Sequence, residues 1–152
     1  MLTGKNFTFL ILFLFGAFFQ INAQSPKGSD PWKTLQNVEW KHFFDEALGF
    51  DVSQPVFGEN IRKLEGFEIT IKGYIIPVDT DGNYMVLSSL PFNNCFFCGN
   101  AGPETVMEID LNKDKSLINK YVTLRGTLEL NDHDYLSLIY KLRNVELVDV
   151  EN

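Results

Sequence analysis

Basic residues are scarce in this chain, and cysteine and histidine are scarcer still. Against 20 aspartates and glutamates stand 13 lysines and arginines, a net charge of −7 with histidine neutral. A surface of that sign offers no footprint for a phosphate backbone or an anionic lipid, so the composition argues against nucleic-acid binding. Two cysteines are too few to hold a small domain together as a disulfide framework. There is no phosphate-cradling glycine loop, no nucleophile elbow and no obvious Cys–His or Ser–His–Asp set. Apart from Ser25 to Ser29, nothing in the sequence is low in complexity. Long apolar runs are missing too, except at the N-terminus.

That exception has the three zones of a secretory signal. Lys5 supplies the basic zone, Phe7 to Phe19 is almost wholly Phe, Leu, Ile and Ala, and Ile21-Asn22-Ala23 ends on a small residue. The pattern predicts a cleavable signal peptide over residues 1–23. The rival is a retained anchor, but a spanning helix needs roughly 20 apolar residues and this run falls short. No cysteine lies near the cleavage point, which argues against attachment of a lipid there. Cleavage removes Lys5 and takes the net charge from −7 to −8. The expected product is a periplasmic or secreted protein with no membrane span after cleavage. Its length, Gln24 to Asn152, is that of one domain.

Within that product, residues 24–63 read as an N-terminal helical and loop extension. Asp30-Pro31 has the form of an N-cap followed by proline at the first helical position. Trp40, Phe43, Phe44, Ala47 and Leu48 recur at helical spacing with Gly49 as a stop, which predicts one amphipathic helix from that cap, or at least helix from about Asn37 to Leu48. From residue 64 the period changes to two. Phe67, Ile69 and Ile71 alternate with Glu68, Thr70 and Lys72, and further strands are expected at Tyr84–Ser88, Thr105–Asp110 and Tyr121–Leu130, then at Tyr135–Lys141 and Asn144–Val150 as separate strands or one bent unit. The segments 69–75 and 122–128 match position by position, each with a glycine, Gly73 or Gly126, inside an alternating strand. Interior glycine suits strands that curl sharply in a small barrel. The fold expected is mainly β: a five-stranded OB-like barrel over residues 64–152, preceded by an N-terminal amphipathic helix. An ordinary antiparallel sandwich is the alternative.

The run Leu64-Glu65-Gly66-Phe67-Glu68-Ile69-Thr70-Ile71-Lys72-Gly73-Tyr74-Ile75-Ile76-Pro77 resembles the opening of DUF3299, a bacterial family of exported OB-like domains without an assigned activity. The likeness covers Pro55 to about Val148. It implies the barrel, export, and an envelope role beside transport systems in metal homeostasis. The family's corresponding loop carries Cys followed by His and a proline-rich stretch. Here Cys95-Phe96-Phe97-Cys98-Gly99-Asn100-Ala101-Gly102-Pro103 stands there instead, with no His.

That loop is the candidate site, and two cysteines three apart admit several chemistries. Haem attachment would need His directly after Cys98, where Gly99 stands. Thiol–disulfide exchange would need a thiol activated at a helix N-terminus, and Gly99, Gly102 and Pro103 forbid a helix here. A metal knuckle suits Gly99, which can turn the backbone towards the thiolates. Zinc, or another thiophilic ion such as copper(I), is the metal expected of such ligands. A closed zinc site needs about four ligands, for which Glu104 and His133 are the further candidates. In an oxidising compartment the same pair could instead form a small-ring disulfide that stiffens the loop.

Other features invite simpler readings. Asp79-Thr80-Asp81-Gly82-Asn83 has its glycine fourth where a calcium loop needs it sixth, and reads as a hairpin turn. His42 reads as a packing or surface histidine. Phe92, Phe96 and Phe97 fall in loop sequence and form a candidate partner surface. Together these residues point to a non-catalytic binding module of the cell envelope that binds or traffics a transition metal through its Cys-x-x-Cys loop. The alternatives are a disulfide-stabilised interaction domain partnering an envelope protein or transporter, and a thiol–disulfide exchange protein.

Overall fold

A computed structural model describes residues 30–111 and 114–151. The expected signal peptide lies outside these residues.

Helix α1, Pro31–Leu35, begins where the sequence places it. The Asp30 side chain accepts a hydrogen bond from the Trp32 amide at 3.1 Å and Pro31 opens the first turn. The helix then ends at Gln36. Residues Glu39–Asp45 and Phe50–Val56 form strands β1 and β2 of an antiparallel hairpin, with Asp45 opposite Phe50 at its tip. The helix expected over 37–48 is therefore corrected to a strand and a turn. The spacing of Trp40, Phe43, Phe44, Ala47 and Leu48 is helical, and pairing with β2 overrides it: Trp40 and Phe43 are half-buried on opposite faces of β1 and Phe44 is left exposed. Phe43 and Val52 face each other across the ladder, and Phe43 packs edge-on to Tyr135 at 6.2 Å. Gly49 does have positive φ (75°), but as the last residue of a hairpin turn. The Asp45 carboxylate closes that turn by accepting from Ala47 and Leu48 amides at 2.9 and 3.0 Å. Helix α2, Glu59–Arg62, is a single turn.

Five strands follow: β3 (Glu68–Pro77), β4 (Met85–Ser88), β5 (Val106–Ile109), β6 (Tyr121–Leu130) and β7 (Tyr140–Glu151). Their order around the ring is β3-β4-β5-β7-β6, and β6 pairs back onto β3. Every pairing is antiparallel except β5 with β7, where a short parallel contact of Glu108 with Lys141 and Ile109 with Leu142 closes the ring. A five-stranded barrel in this order, closed so thinly on one side, is the OB-type barrel expected from the sequence.

The two interior glycines sit where the barrel bends. Strand β3 pairs with β6 over Glu68–Tyr74 and with β4 over Tyr74–Pro77, so its change of partner falls beside Gly73. A Cβ at Gly73 would lie 2.5 Å from the Ser88 carbonyl oxygen, and one at Gly126 would lie 2.8 Å from that of Arg143. Gly126 lies opposite the second irregularity of the β6–β7 ladder, where Asn144 takes positive φ (53°). Both Asp110 carboxylate oxygens serve this bulge, accepting from the Asn144 and Val145 amides at 3.1 Å each.

The barrel interior is filled by Ile69, Ile71, Ile75, Leu87, Met107, Leu124, Leu128 and Leu142, all buried. Trp32 and Leu35 of α1 and Ile61 of α2 join the same core. Long-range hydrogen bonds fix the helix there: Trp32 Nε1 donates to the Lys72 carbonyl at 2.7 Å and the Tyr140 hydroxyl to the Leu35 carbonyl at 2.6 Å. A second, smaller cluster lies apart from this core. In it Ile76 of β3, Val86 of β4 and Val106 of β5 pack with Leu138 and Cys95. All four residues of β4 are consequently buried, Met85 and Leu87 in the core and Val86 in the second cluster. That second cluster is the seat of the cysteine loop.

Candidate functional site

The loop between β4 and β5 is clamped at its base. Ser89 donates from its amide to the Thr105 carbonyl at 2.9 Å and from its hydroxyl to the same oxygen at 3.2 Å. Between these ends run three tight 3-10 turns, Phe92–Asn94, Phe96–Cys98 and Pro103–Thr105. No α-helix begins at the cysteines, as the glycines and proline foretell. Cys95 joins the first two turns in extended conformation, and Gly99 ends the second in the left-handed region (φ 76°). The Cys98 amide donates to the Cys95 carbonyl at 3.1 Å, and Asn100 Nδ2 reaches back to the Asn93 carbonyl at 2.9 Å.

This backbone brings the two sulfurs together from opposite environments. Cys95 is fully buried in the second cluster, whereas Cys98 is exposed. Their Sγ atoms are 3.9 Å apart, and both cysteines are free thiols. A disulfide brings its sulfurs to about 2.05 Å, so the small-ring disulfide is not formed in this structure. Cys98 Sγ also donates to the Phe92 carbonyl at 2.9 Å, an oxygen that accepts from the Cys95 amide at 3.3 Å as well. Desolvation, and then the hydrogen bond with the Cys95 sulfur, push the Cys98 thiol above its ordinary range. That is the opposite of the activation an exchange catalyst needs.

The other residues singled out from the sequence divide between this loop and remote turns. Phe92 and Phe97 are exposed, at 47% and 43%, while Phe96 packs against the second cluster and edge-on to Phe97 at 5.2 Å. Glu104 stands in the turn Pro103–Thr105. His133 lies in the turn after β6, its Nδ1 3.3 Å from Asp132 Oδ1. Asp132 in turn pairs with Arg62 at 2.9 Å, and that hydrogen bond, followed by the one from His133, holds its carboxyl below the usual range. His42 Nδ1 bonds Ser53 Oγ at 2.8 Å on the hairpin. Among the described residues no three His, Cys, Asp or Glu side chains gather to hold a metal ion, so neither Glu104 nor His133 stands in such a group with the cysteines. The Asp79–Asn83 segment is a turn, closed by Asp79 Oδ1 accepting from the Asn83 and Tyr84 amides at 2.8 and 3.0 Å. These backbone bonds, that of Tyr84 first, lower the Asp79 carboxyl.

Two features of the site were not anticipated from sequence. One is the Phe92 carbonyl as the acceptor for Cys98. The other is Asn131, buried in the turn that supplies Leu138 to the second cluster. Its Nδ2 donates to the Asp134 and Leu138 carbonyls at 2.8 and 3.1 Å, and its Oδ1 accepts from the Asp134 amide at 2.9 Å. An Asn followed by three polar residues signals a turn but not its burial. A separate cleft of about 360 Å³ opens between α1 and α2, lined by Lys33, Thr34, Asn37, Glu59, Asn60 and Ile61. None of the candidate site residues lines it.

Strand order and loop together define a class: an OB-type barrel with a dithiol loop seated over its second and third strands. No family model matches the chain, and no curated protein matches it. Among solved structures the chain is similar to a DUF3299 family protein from Pseudomonas aeruginosa, at 15% identity over 64% of this chain and 70% of that one, with a TM-score of 0.42. That is the family its β3 region resembles. At this level the likeness carries no argument, and the barrel rests on its own strand order. No helix among the described residues is long and apolar enough to cross a membrane.

Proposed function

We propose that this chain is an exported, non-catalytic binding module of the cell envelope, and that its working surface is the loop Pro91–Pro103. The ligand we assign to it is a thiophilic metal ion, zinc or copper(I), held by Cys95 and Cys98. The observation that carries the reading is the 3.9 Å separation of the two sulfurs. Two thiolates at 2.3 Å from a tetrahedral zinc stand about 3.8 Å apart, so the pair needs little movement to chelate. With Cys95 buried, the ion enters from the Cys98 side.

Two thiolates leave a tetrahedral ion with open positions, and no third protein ligand is gathered among the described residues. Such a site suits transient holding and transfer better than structural metal, and the open positions are free for donors of a partner. The exposed Phe92 and Phe97 on the same loop give that partner, an envelope protein or transporter, an apolar contact. Titration of the reduced protein with zinc against a chromophoric chelator tests the reading. One-to-one uptake that disappears in the Cys95→Ser, Cys98→Ser double variant supports it, and unchanged uptake in that variant removes it.

A further inference from the structure

We propose that the dithiol is also a redox switch: a disulfide oxidant, small-molecule or protein, converts Cys95 and Cys98 to a disulfide and resets the surface that carries Phe92 and Phe97. This rests on the loop being the working surface, and adds the condition under which that surface is open.

The two sulfurs have the arrangement such a reaction needs. Cys98 is exposed and meets the oxidant first; Cys95 is buried directly beside it, 3.9 Å away, where only an intramolecular attack can reach it. Cys98 gives up its proton, its thiolate attacks one sulfur of the oxidant, and half of the oxidant leaves as a thiolate. Cys95 then loses its proton and attacks Cys98 Sγ, the mixed disulfide breaks, and the second half leaves as a thiolate. The chain has lost two electrons and two protons, and the oxidant has become two thiols.

The structural consequence follows from one hydrogen bond. A disulfide sulfur carries no proton, so oxidation removes the donation from Cys98 Sγ to the Phe92 carbonyl. That oxygen keeps only the Cys95 amide, at 3.3 Å. Closing the sulfurs from 3.9 Å to about 2.05 Å draws Cys98 Sγ, and with it the Phe96–Cys98 turn, towards Cys95 in the second cluster. Phe97 is in that turn and Phe92 loses its tie to it. The Asn100–Asn93 bond and the Ser89–Thr105 clamp hold the loop's ends, which confines the change to its crest. A disulfide also has no thiolate to offer, so the oxidised loop cannot hold the ion.

Equilibrating the full-length protein in glutathione buffers of graded potential, with alkylation and mass measurement, tests the switch. The expected result is a single two-electron transition to a species lighter by two hydrogens. It should be accompanied by a severalfold change in chymotrypsin cleavage at Phe92 and Phe97. The Cys95→Ala variant should stop at a glutathione adduct on Cys98. Thiols that stay alkylatable in fully oxidised glutathione, or wild-type protein that stops at the adduct, overturn the switch. So does a disulfide that forms without any change in cleavage. Zinc uptake is measured separately on reduced protein: its absence removes the metal reading and leaves the redox result standing, while uptake by a protein that will not oxidise does the reverse.

Discussion

The hydroxyl of Tyr140 shows how much can depend on one atom. It reaches from β7 to the Leu35 carbonyl, 105 positions earlier in the chain, and with Trp32 ties α1 into the barrel core. Burial pushes it far above the ordinary tyrosine range, so it remains a donor throughout the working range of pH. Tyr140→Phe leaves the carbonyl without this partner and should cost about 1–3 kcal/mol in urea unfolding. An unchanged midpoint would mean that α1 is not held this way. Cys98 gives a second test at the same scale. Its thiol is raised, so alkylation in reduced protein should accelerate only at a higher pH than for a free cysteine. A profile that rises below the free-cysteine range would mark Cys98 as activated, and exchange chemistry would return. Neither residue's role could be read from local spacing. Tyr140 sits in a strand-like run whose partner is far away in sequence, and the acceptor for Cys98 is a backbone oxygen, which no residue type advertises.

Elements differ in how openly they declare themselves. Strands β3 and β6 are legible because each buries one face, with strict alternation over Glu68–Ile71 and Leu124–Leu130. The interior glycines are legible for the same reason, since nothing else explains a residue without a side chain in the middle of such a strand. Their weight can be measured. Gly73→Ala would drive a Cβ against the Ser88 carbonyl and Leu87, whereas Gly58→Ala meets nothing within 4 Å. The first should destabilise by about 1–3 kcal/mol or prevent folding, and the second should be close to neutral. Equal costs would show that the barrel does not bend at Gly73. Strand β1 has the apolar spacing of a helix, and its closing glycine suits either ending, so the sequence points to a helix there and to a loop over β2. What decides it is the facing strand Phe50–Val56, whose Pro55 and polar residues make a weak strand signal on their own.

At the scale of the whole molecule, the function proposed above gives the barrel one task, to present a loop. Burial of β4 on both sides seats Cys95 in the second cluster, and the clamp at Ser89 and Thr105 keeps Cys98, Phe92 and Phe97 at the surface. The pairing of the cysteines was evident from their spacing. That they would stand as one buried and one exposed thiol was not, because the burial comes from Ile76, Val86, Val106 and Leu138, drawn from three strands and a distant turn. An acidic surface, with net charge −7, favours cations over phosphate-bearing partners and fits a metal-handling role. The most direct measurement of that role is zinc binding by the fully reduced protein, in competition with a chelator of known affinity. The account predicts one zinc per chain, with affinity falling as pH drops because the ion must displace both thiol protons. Absence of binding, or binding that survives replacement of both cysteines by serine, would contradict it.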